Sequence, residues 1–277
     1  RRFGRLEAFR WRQRQEAEFR IDKRVRRVTL HKKRRFFLPG KRLFERYGEA
    51  FGAAYREDTS PRAATHDLDR LERIAEAGDL AMSLYRPLEA PEGVLRFKLF
   101  HGGHPITLSD VLPVLEHMGV EVTDEHPYDV DRADGSTAWI HDFGLYYSGA
   151  GQLEAEQIRD AFQDAFAAIW QQRAEDDGFN ALVLSAGLSW RDIVVLRAYS
   201  KYLRQVGTPF SQQYVERTLA SHPRITPLLV QLFHARLDPS RRDDGRAASI
   251  AEQMEALLEE VSSLDEDRIL RRFLAAV

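Results

Sequence analysis

The spacing of apolar residues changes near Gly178, and this change constrains the fold more than any other feature of the sequence. Between residues 80 and 147 apolar and polar side chains alternate, a period of two that is typical of β-strands. The clearest case is Val94–Phe100, whose alternating members are Leu95, Arg96, Phe97, Lys98 and Leu99. This alternation predicts one buried and one solvent-exposed face. After Gly178 only helical spacing remains, so we expect an α+β chain with a separate helical part.

Residues 80–173 predict the order strand, strand, helix, strand, strand, helix. The predicted strands are Leu80–Arg86, Val94–Phe100, Val120–Val130 and Trp139–Tyr147. The first helix is predicted to start at Thr107, with Asp110 in a capping box, and to stop at Gly119; the second is Leu153–Arg173. Four antiparallel strands with two helices on one face predict a ferredoxin-like sandwich. ACT-like regulatory domains have these elements. In this chain the fourth strand comes from the N-terminal side of the domain.

Residues 39–79 predict a helical pair. Apolar side chains recur at helical spacing from Leu43 to Tyr55. Ser60 and Pro61 then form a typical helix start, because Ser is a good N-cap and Pro fits the first turn. Gly78 is predicted to end this second helix.

Residues 174–277 predict an all-helical module. The expected helices are Phe179–Ala186, Ser189–Val206, Ser211–Ser221, Ile225–Leu237, Ser249–Ser262 and Asp265–Val277. Ser189 and Ser249 are predicted N-caps, because an acidic residue follows each of them three positions later, as in a capping box.

Residues 1–38 form a basic arm that differs sharply in charge from the rest. Residues 1–42 contain 17 Lys/Arg and 4 Asp/Glu, whereas the remainder contains 24 and 39. Clustered basic residues can bind nucleic-acid phosphates, but the arm has no clear helical pattern. We favour a disordered segment, or a stretch that does not come from natural coding sequence. We do not expect nucleic acid as a partner.

No residue in the sequence is assigned to catalysis or cofactor binding. The chain has no cysteine, which excludes disulfides and thiolate chemistry and fits a cytoplasmic protein. No apolar run approaches the roughly 20 residues of a membrane helix. Gly149-Ala150-Gly151 lacks the third glycine of a dinucleotide-binding loop. Asp142-Phe143-Gly144 matches a kinase triplet, but the other kinase loops are missing.

Candidate metal and effector residues lie at the end of the predicted sheet. Four histidines and one aspartate could meet there and suit zinc or iron; they are His101, His104, His126, His141 and Asp142. Their spacing matches no known motif, so we predict no metal site.

The loop His101–Thr107 contains two glycines and precedes a helix, which would suit a carboxylate ligand. A plain tight turn is the favoured interpretation, and the effector site is unknown. The acidic clusters Glu154/Glu156 and Glu175–Asp177 are interpreted as solvated.

Longer strings carry a family resemblance. They are Arg46–Asp58, Leu108–Gly119, Trp139–Leu145, Glu175–Asn180, Leu188–Asp192, Leu196–Gln205 and Leu264–Leu274. Together they resemble the segment upstream of the catalytic domain in the large NAD-specific glutamate dehydrogenases of bacteria. The resemblance covers about residues 41–277 and does not include the basic arm.

The resemblance implies the regulatory and oligomerisation segment of an enzyme that converts L-glutamate, NAD and water to 2-oxoglutarate, ammonium and NADH. It implies that the segment is non-catalytic, that NAD binds elsewhere in the parent chain, and that no catalytic residue lies here. The implied partners are the catalytic domain of the same chain, further copies, and an amino-acid effector, in the cytoplasm and not in a membrane. A free-standing ACT-like amino-acid sensor is the alternative. Because the chain begins with Arg1, it is expected to be a processed product or a fragment.

Overall fold

The fold is described from a computed structural model, for residues 40–74, 79–87, 89–149 and 155–277. The basic arm of residues 1–38 lies outside them, as do Gly78 and residues 150–154. The N-terminal helices are α1 (Gly40–Tyr47), α2 (Ala53–Asp58) and α3 (Pro61–Leu71). The α+β part follows with β1 (Leu80–Tyr85), β2 (Val94–Gly102), α4 (Leu108–His117), β3 (Glu121–Asp131), β4 (Thr137–Tyr146) and α5 (Ala155–Trp170).

The four strands form one antiparallel sheet in the order β1-β2-β4-β3. The order of elements is the predicted one, and the α+β, ACT-like fold class is confirmed. The register of β2 against β4 follows from two flanking hydrogen bonds. The Gly103 N–H donates to the Thr137 carbonyl at 3.0 Å, and the Tyr147 N–H donates to the Gly93 carbonyl at 2.9 Å.

This register explains the triplet Asp142-Phe143-Gly144 as part of a strand. It places Gly144 directly opposite Arg96, and Arg96 reaches past it to pair with Asp124 on β3, with 2.5 Å between Arg96 Nη1 and Asp124 Oδ1. A Cβ atom at position 144 would overlap the Asp124 carboxylate and lie 2.5 Å from Thr123 Oγ1. Glycine is therefore required here because an ion pair crosses its strand.

The chain divides into two compact units, and the first comprises Arg1–Met82, Lys98–Ile106 and Glu125–Phe143. In this unit α1, α2 and α3 share a hydrophobic core with one face of the sheet. Its buried members on the strands are Ala81, Phe100, Tyr128, Val130, Ala138 and Ile140. The prediction that Lys98 lies on a solvent-exposed face is therefore wrong: Lys98 is only 4% exposed.

The helix predicted from Leu43 to Tyr55 is broken between α1 and α2, so this region has three helices and not a pair. The break occurs where the chain runs beside β3. Phe51 forms an isolated antiparallel bridge with Val130, and the Ala50 carbonyl accepts from the Asp131 N–H at 3.0 Å. An edge strand has unpaired backbone groups. Residues 50 and 51 pair with those of β3 and therefore do not form the helical hydrogen bonds that the local spacing predicted.

The second unit comprises Ser83–Phe97, Thr107–Asp124 and Gly144–Val277. Here the Phe97 ring packs edge-on against Phe162 and Phe166 of α5, with ring centroids 5.3 and 5.1 Å apart. The remaining elements are a short 3₁₀ helix (Gly178–Ala181), α6 (Leu182–Ser185), α7 (Trp190–Gln205), α8 (Gln212–Ser221), α9 (Thr226–Leu237), α10 (Asp244–Leu258) and α11 (Leu264–Ala276). Within the described ranges, no helix is both long and apolar enough to cross a membrane.

Helix starts in the second unit follow the predictions only in part. Ser189 is the N-cap of α7, and its hydroxyl accepts from the Asp192 N–H at 3.2 Å. Ser249 is not an N-cap, because Asp243 caps α10 earlier in the chain. Thr107 occupies the cap position of α4, but its hydroxyl bonds the Asp110 carboxylate and no backbone N–H.

We expect Gly144→Ala to lower the free energy of unfolding by about 1–3 kcal/mol, because the added methyl group overpacks the strand and displaces the Asp124 carboxylate. Chemical denaturation of the two proteins measures this difference. Gly245→Ala is the matched control: Gly245 lies in α10, where an added Cβ atom would be 3.5 Å from Asp243 Oδ1, and the substitution should stabilise by about 0.5–1 kcal/mol. A Gly144→Ala protein as stable as the parent would contradict the crossing ion pair.

Candidate functional site

The first unit contains a buried charged cluster around Lys98. Its ammonium donates to Asp67 Oδ2 at 2.7 Å and lies 3.8 Å from Asp142 Oδ2. The Tyr55 hydroxyl donates to the same Asp67 oxygen at 2.7 Å. The side chains of Lys98 and Asp67 are 5% and 7% exposed, so the ion pair is nearly dry.

Each member of this cluster comes from a different element. Lys98 is on β2 and Asp142 lies opposite it on β4, as the strand register requires. Asp67 is on α3, and Tyr55 is on α2. The cluster therefore joins two helices to two strands within the first unit. Burial, together with the neighbouring Asp67 carboxylate, raises the pKa of Tyr55 far above its ordinary value, so Tyr55 acts as a neutral hydrogen-bond donor.

This arrangement is suited to fixing a structure and not to chemistry. A buried lysine can serve as a nucleophile or base when it is neutral and reachable. Here the Lys98 ammonium is held between two carboxylates and has almost no contact with solvent, so it is not reachable. A charge pair of this kind is strongly destabilising when one partner is removed. The sequence signal that could have found it is weak, because Lys98 stands in an ordinary alternating strand.

The candidate metal ligands do not form a site. His141 is buried, its Nε2 accepts from the Ile106 N–H at 3.2 Å, and its Nδ1 lies 2.9 Å from Glu125 Oε1. Because Nε2 is an acceptor, Nδ1 carries the proton and donates to Glu125. His126 is exposed on β3, and Asp142 belongs to the Lys98 cluster. Among the described residues, no group of three His, Cys, Asp or Glu is arranged to hold a metal ion.

The polar groups of the glycine loop His101–Thr107, at the end of β2, already have hydrogen-bond partners within the protein. The His101 ring lies with Nδ1 2.9 Å from the His104 carbonyl, to which it donates. The Gly103 N–H donates to Thr137 and the Ile106 N–H to His141. Gly103 has a positive φ of 90°, which is typical of a tight turn. These N–H groups are therefore not available to a carboxylate ligand.

A second buried cluster lies in the second unit, around Arg197 on α7. Its guanidinium binds Asp177 with two bonds of 2.8 Å and donates to Asn180 Oδ1 at 2.9 Å. Asn180 in turn donates to the Glu175 carbonyl at 3.0 Å. Arg197 is 3% exposed. The interpretation of Glu175–Asp177 as wholly solvated is therefore wrong for Asp177, which anchors the turn to α7.

Gly178 and Glu216 extend this cluster to α8. A Cβ atom at position 178 would lie 2.5 Å from Glu216 Oε2, so the turn approaches α8 closely. Glu216 Oε1 accepts from the Gln212 amide at 2.8 Å. Burial, with the nearby Asp177 charge as a further cause, raises the pKa of Glu216 above its ordinary value.

We expect Lys98→Met to lower the free energy of unfolding by about 3–5 kcal/mol, because two buried carboxylates lose their counter-charge. Lys201→Met is the matched control, since the side chains of Lys201 and its partner Glu175 are 45% and 58% exposed and such pairs contribute about 0–1 kcal/mol. Urea denaturation measures both. Equal effects of the two substitutions would show that the Lys98 cluster is not needed for the fold.

We expect Glu216→Gln to flatten the pH dependence of stability. The native state binds the Glu216 proton more tightly than the unfolded state does. In the unfolded state the pKa of this carboxyl is near 4.5. Stability from this group is therefore fully present below that value and is lost as pH rises through the raised native pKa. The Gln variant keeps an acceptor for Gln212 and should lose less stability between acid and neutral pH.

Melting temperatures across this pH range test the Glu216 prediction. Glu260→Gln is the control, because Glu260 and its partner Arg224 are 64% and 71% exposed. A Glu216→Gln protein that melts below the parent at neutral pH would show that the carboxylate is stabilising.

Three family models match this chain in succession. The model described as glutamate dehydrogenase, helical motif 2, matches residues 39–74, the ACT3 domain model matches residues 79–158, and the helical motif 3 model matches residues 174–239. The first two matches contain the Lys98 cluster, and the third contains Asp177, Asn180 and Arg197. Both clusters thus lie inside segments that the family models describe.

Similar proteins carry the same family name. An NAD-specific glutamate dehydrogenase of Halomonas elongata is 43% identical over 236 residues, which are 85% of this chain and 15% of that protein. Those of Pseudomonas aeruginosa and Mycobacterium tuberculosis are 39% and 40% identical over 85% and 83% of this chain. The chain spans about 15% of the length of these relatives. Three family models match in succession along the chain, and its sequence identity to these enzymes extends over most of its length. The chain therefore belongs to the large NAD-specific glutamate dehydrogenases and corresponds to a segment of helical motif 2, ACT3 domain and helical motif 3.

Proposed function

We propose that this chain is a non-catalytic regulatory and assembly segment of an enzyme that oxidises L-glutamate. The whole enzyme would convert L-glutamate, NAD⁺ and water to 2-oxoglutarate, ammonium, NADH and a proton. The observation that carries the proposal is the unbroken order of helical motif 2, ACT3 domain and helical motif 3 along the chain. The NAD site and the catalytic residues would belong to another part of the parent chain.

The two buried clusters support a scaffold role. Lys98 with Asp67 and Asp142 joins helices to the sheet in the first unit. Arg197 with Asp177 joins a turn to a long helix in the second. Buried ion pairs with matched geometry fix one arrangement of the chain at the expense of others, which a scaffold for other domains needs.

The proposed partners follow from this role. They are the catalytic domain of the same parent chain and further copies of the enzyme, in the cytoplasm. We keep an amino-acid effector as a proposal with an unknown site. The loop His101–Thr107 is a poor candidate for it, because the Gly103 and Ile106 N–H groups already have acceptors and Asp110 places a carboxylate in the first turn of α4.

We expect the purified 277-residue chain to produce no NADH from L-glutamate and NAD, because it would lack the catalytic domain. Absorbance of NADH measures this, with the intact Pseudomonas aeruginosa relative as the positive control. Circular dichroism must show that the chain is folded in the same buffer. Glutamate-dependent NADH formation by the folded chain would contradict the non-catalytic assignment.

A further inference from the structure

A basic cleft in the second unit has chemistry that the scaffold role does not use. It lies between α7, α8 and α11 and the loop before α8, and its enclosed volume is about 20 Å³. The residues that matter here are Phe179, Arg204, Thr208, Phe210, Arg272 and Phe273. Its floor is apolar, because Phe179 and Phe273 are 1% and 0% exposed.

The charges that line this cleft are all positive. They are Arg197, Lys201, Arg204 and Arg272, and no lining residue is acidic within the described part of the chain. Two of these charges are already balanced, since Arg197 pairs with Asp177 and Lys201 with Glu175. The cleft therefore keeps the charge of the other two guanidinium groups.

Arg204 and Arg272 are not balanced by a carboxylate in the part of the chain that the structure describes. Arg272 Nη1 donates to the neutral Thr208 hydroxyl at 2.8 Å. Arg204 lies in the last turn of α7, where a basic residue also offsets the helix dipole. That effect accounts for Arg204 alone and leaves Arg272, which comes from α11, unexplained.

We propose that this cleft binds a phosphate group. Two guanidinium forks from different helices match the oxygen geometry of phosphate, and the hydroxyl of Thr208 is a further donor. Both arginines are exposed, so a phosphate group at the mouth of the cleft can reach their guanidinium groups. A volume of about 20 Å³ admits one oxygen-sized atom, so the rest of the ligand would lie at the mouth, beside Phe210.

The site can belong to free phosphate or to a phosphate monoester, which share this recognition. It does not depend on the glutamate dehydrogenase assignment, since only the geometry of α7, α8 and α11 enters the inference. Binding can therefore be tested whether or not the parent enzyme is active.

The test is titration of the 277-residue chain with inorganic phosphate, with calorimetry and the melting temperature as the two measurements. Sodium chloride of equal ionic strength is the control. We expect saturable binding that Arg204→Gln and Arg272→Gln each weaken about tenfold, the loss of one charged hydrogen bond. Arg268→Gln is the matched control, because Arg268 is also on α11 and its side chain, paired with Asp265, is 58% exposed. Circular dichroism checks that all three variants remain folded.

Phosphate that stabilises the chain no more than chloride does would overturn the proposal. Equal binding by the parent and by both the Arg204 and Arg272 variants would overturn it as well. Phenyl phosphate is the second probe: tighter binding than inorganic phosphate supports a monoester that contacts Phe210, and equal binding supports free phosphate.

Discussion

The first unit of this protein depends on one buried ammonium group. Lys98 can be buried only because Asp67 and Asp142 reach it from a helix and from the neighbouring strand. Neither the helix nor the strand can shift without leaving a charge unpaired in a dry environment, which is costly. A slip of one residue in the strand register would turn Lys98 to the opposite face. The ion pair therefore sets both the register of the sheet and the position of α3 against it.

A comparable device organises the second unit. Asp177 accepts two bonds from Arg197 and also caps the short 3₁₀ helix through the Phe179 N–H at 3.2 Å. One carboxylate thus fixes a turn and ties it to α7. Arg197 also donates to Asn180 Oδ1 at 2.9 Å, so the buried cluster is a network of several hydrogen bonds, and such polar networks make a packing arrangement specific. Both devices hold modules in place and neither exposes a reactive group.

The elements that the sequence predicted well are those whose pattern is local. The alternation in β2 and the helix that stops at Gly119 are set by neighbours a few positions away, so spacing alone was sufficient. Ser189 is likewise an N-cap because its hydroxyl meets a backbone group three residues later. The prediction for Ser249 was wrong because Asp243 caps the same helix six residues earlier. Local signals that compete with each other cannot be ranked without the tertiary structure.

The sequence by itself determined the fold class, the order of strands and helices, and the family resemblance, since periodicity and long strings are properties of the chain alone. Only the tertiary structure decided which charges are buried. Lys98 and Asp67 are 31 positions apart, and no short-range pattern relates them. The second face of β2 was predicted to be solvent-exposed because alternation records a single apolar face. Helices from residues 40–71 cover that second face around Lys98 and Phe100, and Lys98 became part of an interior ion pair.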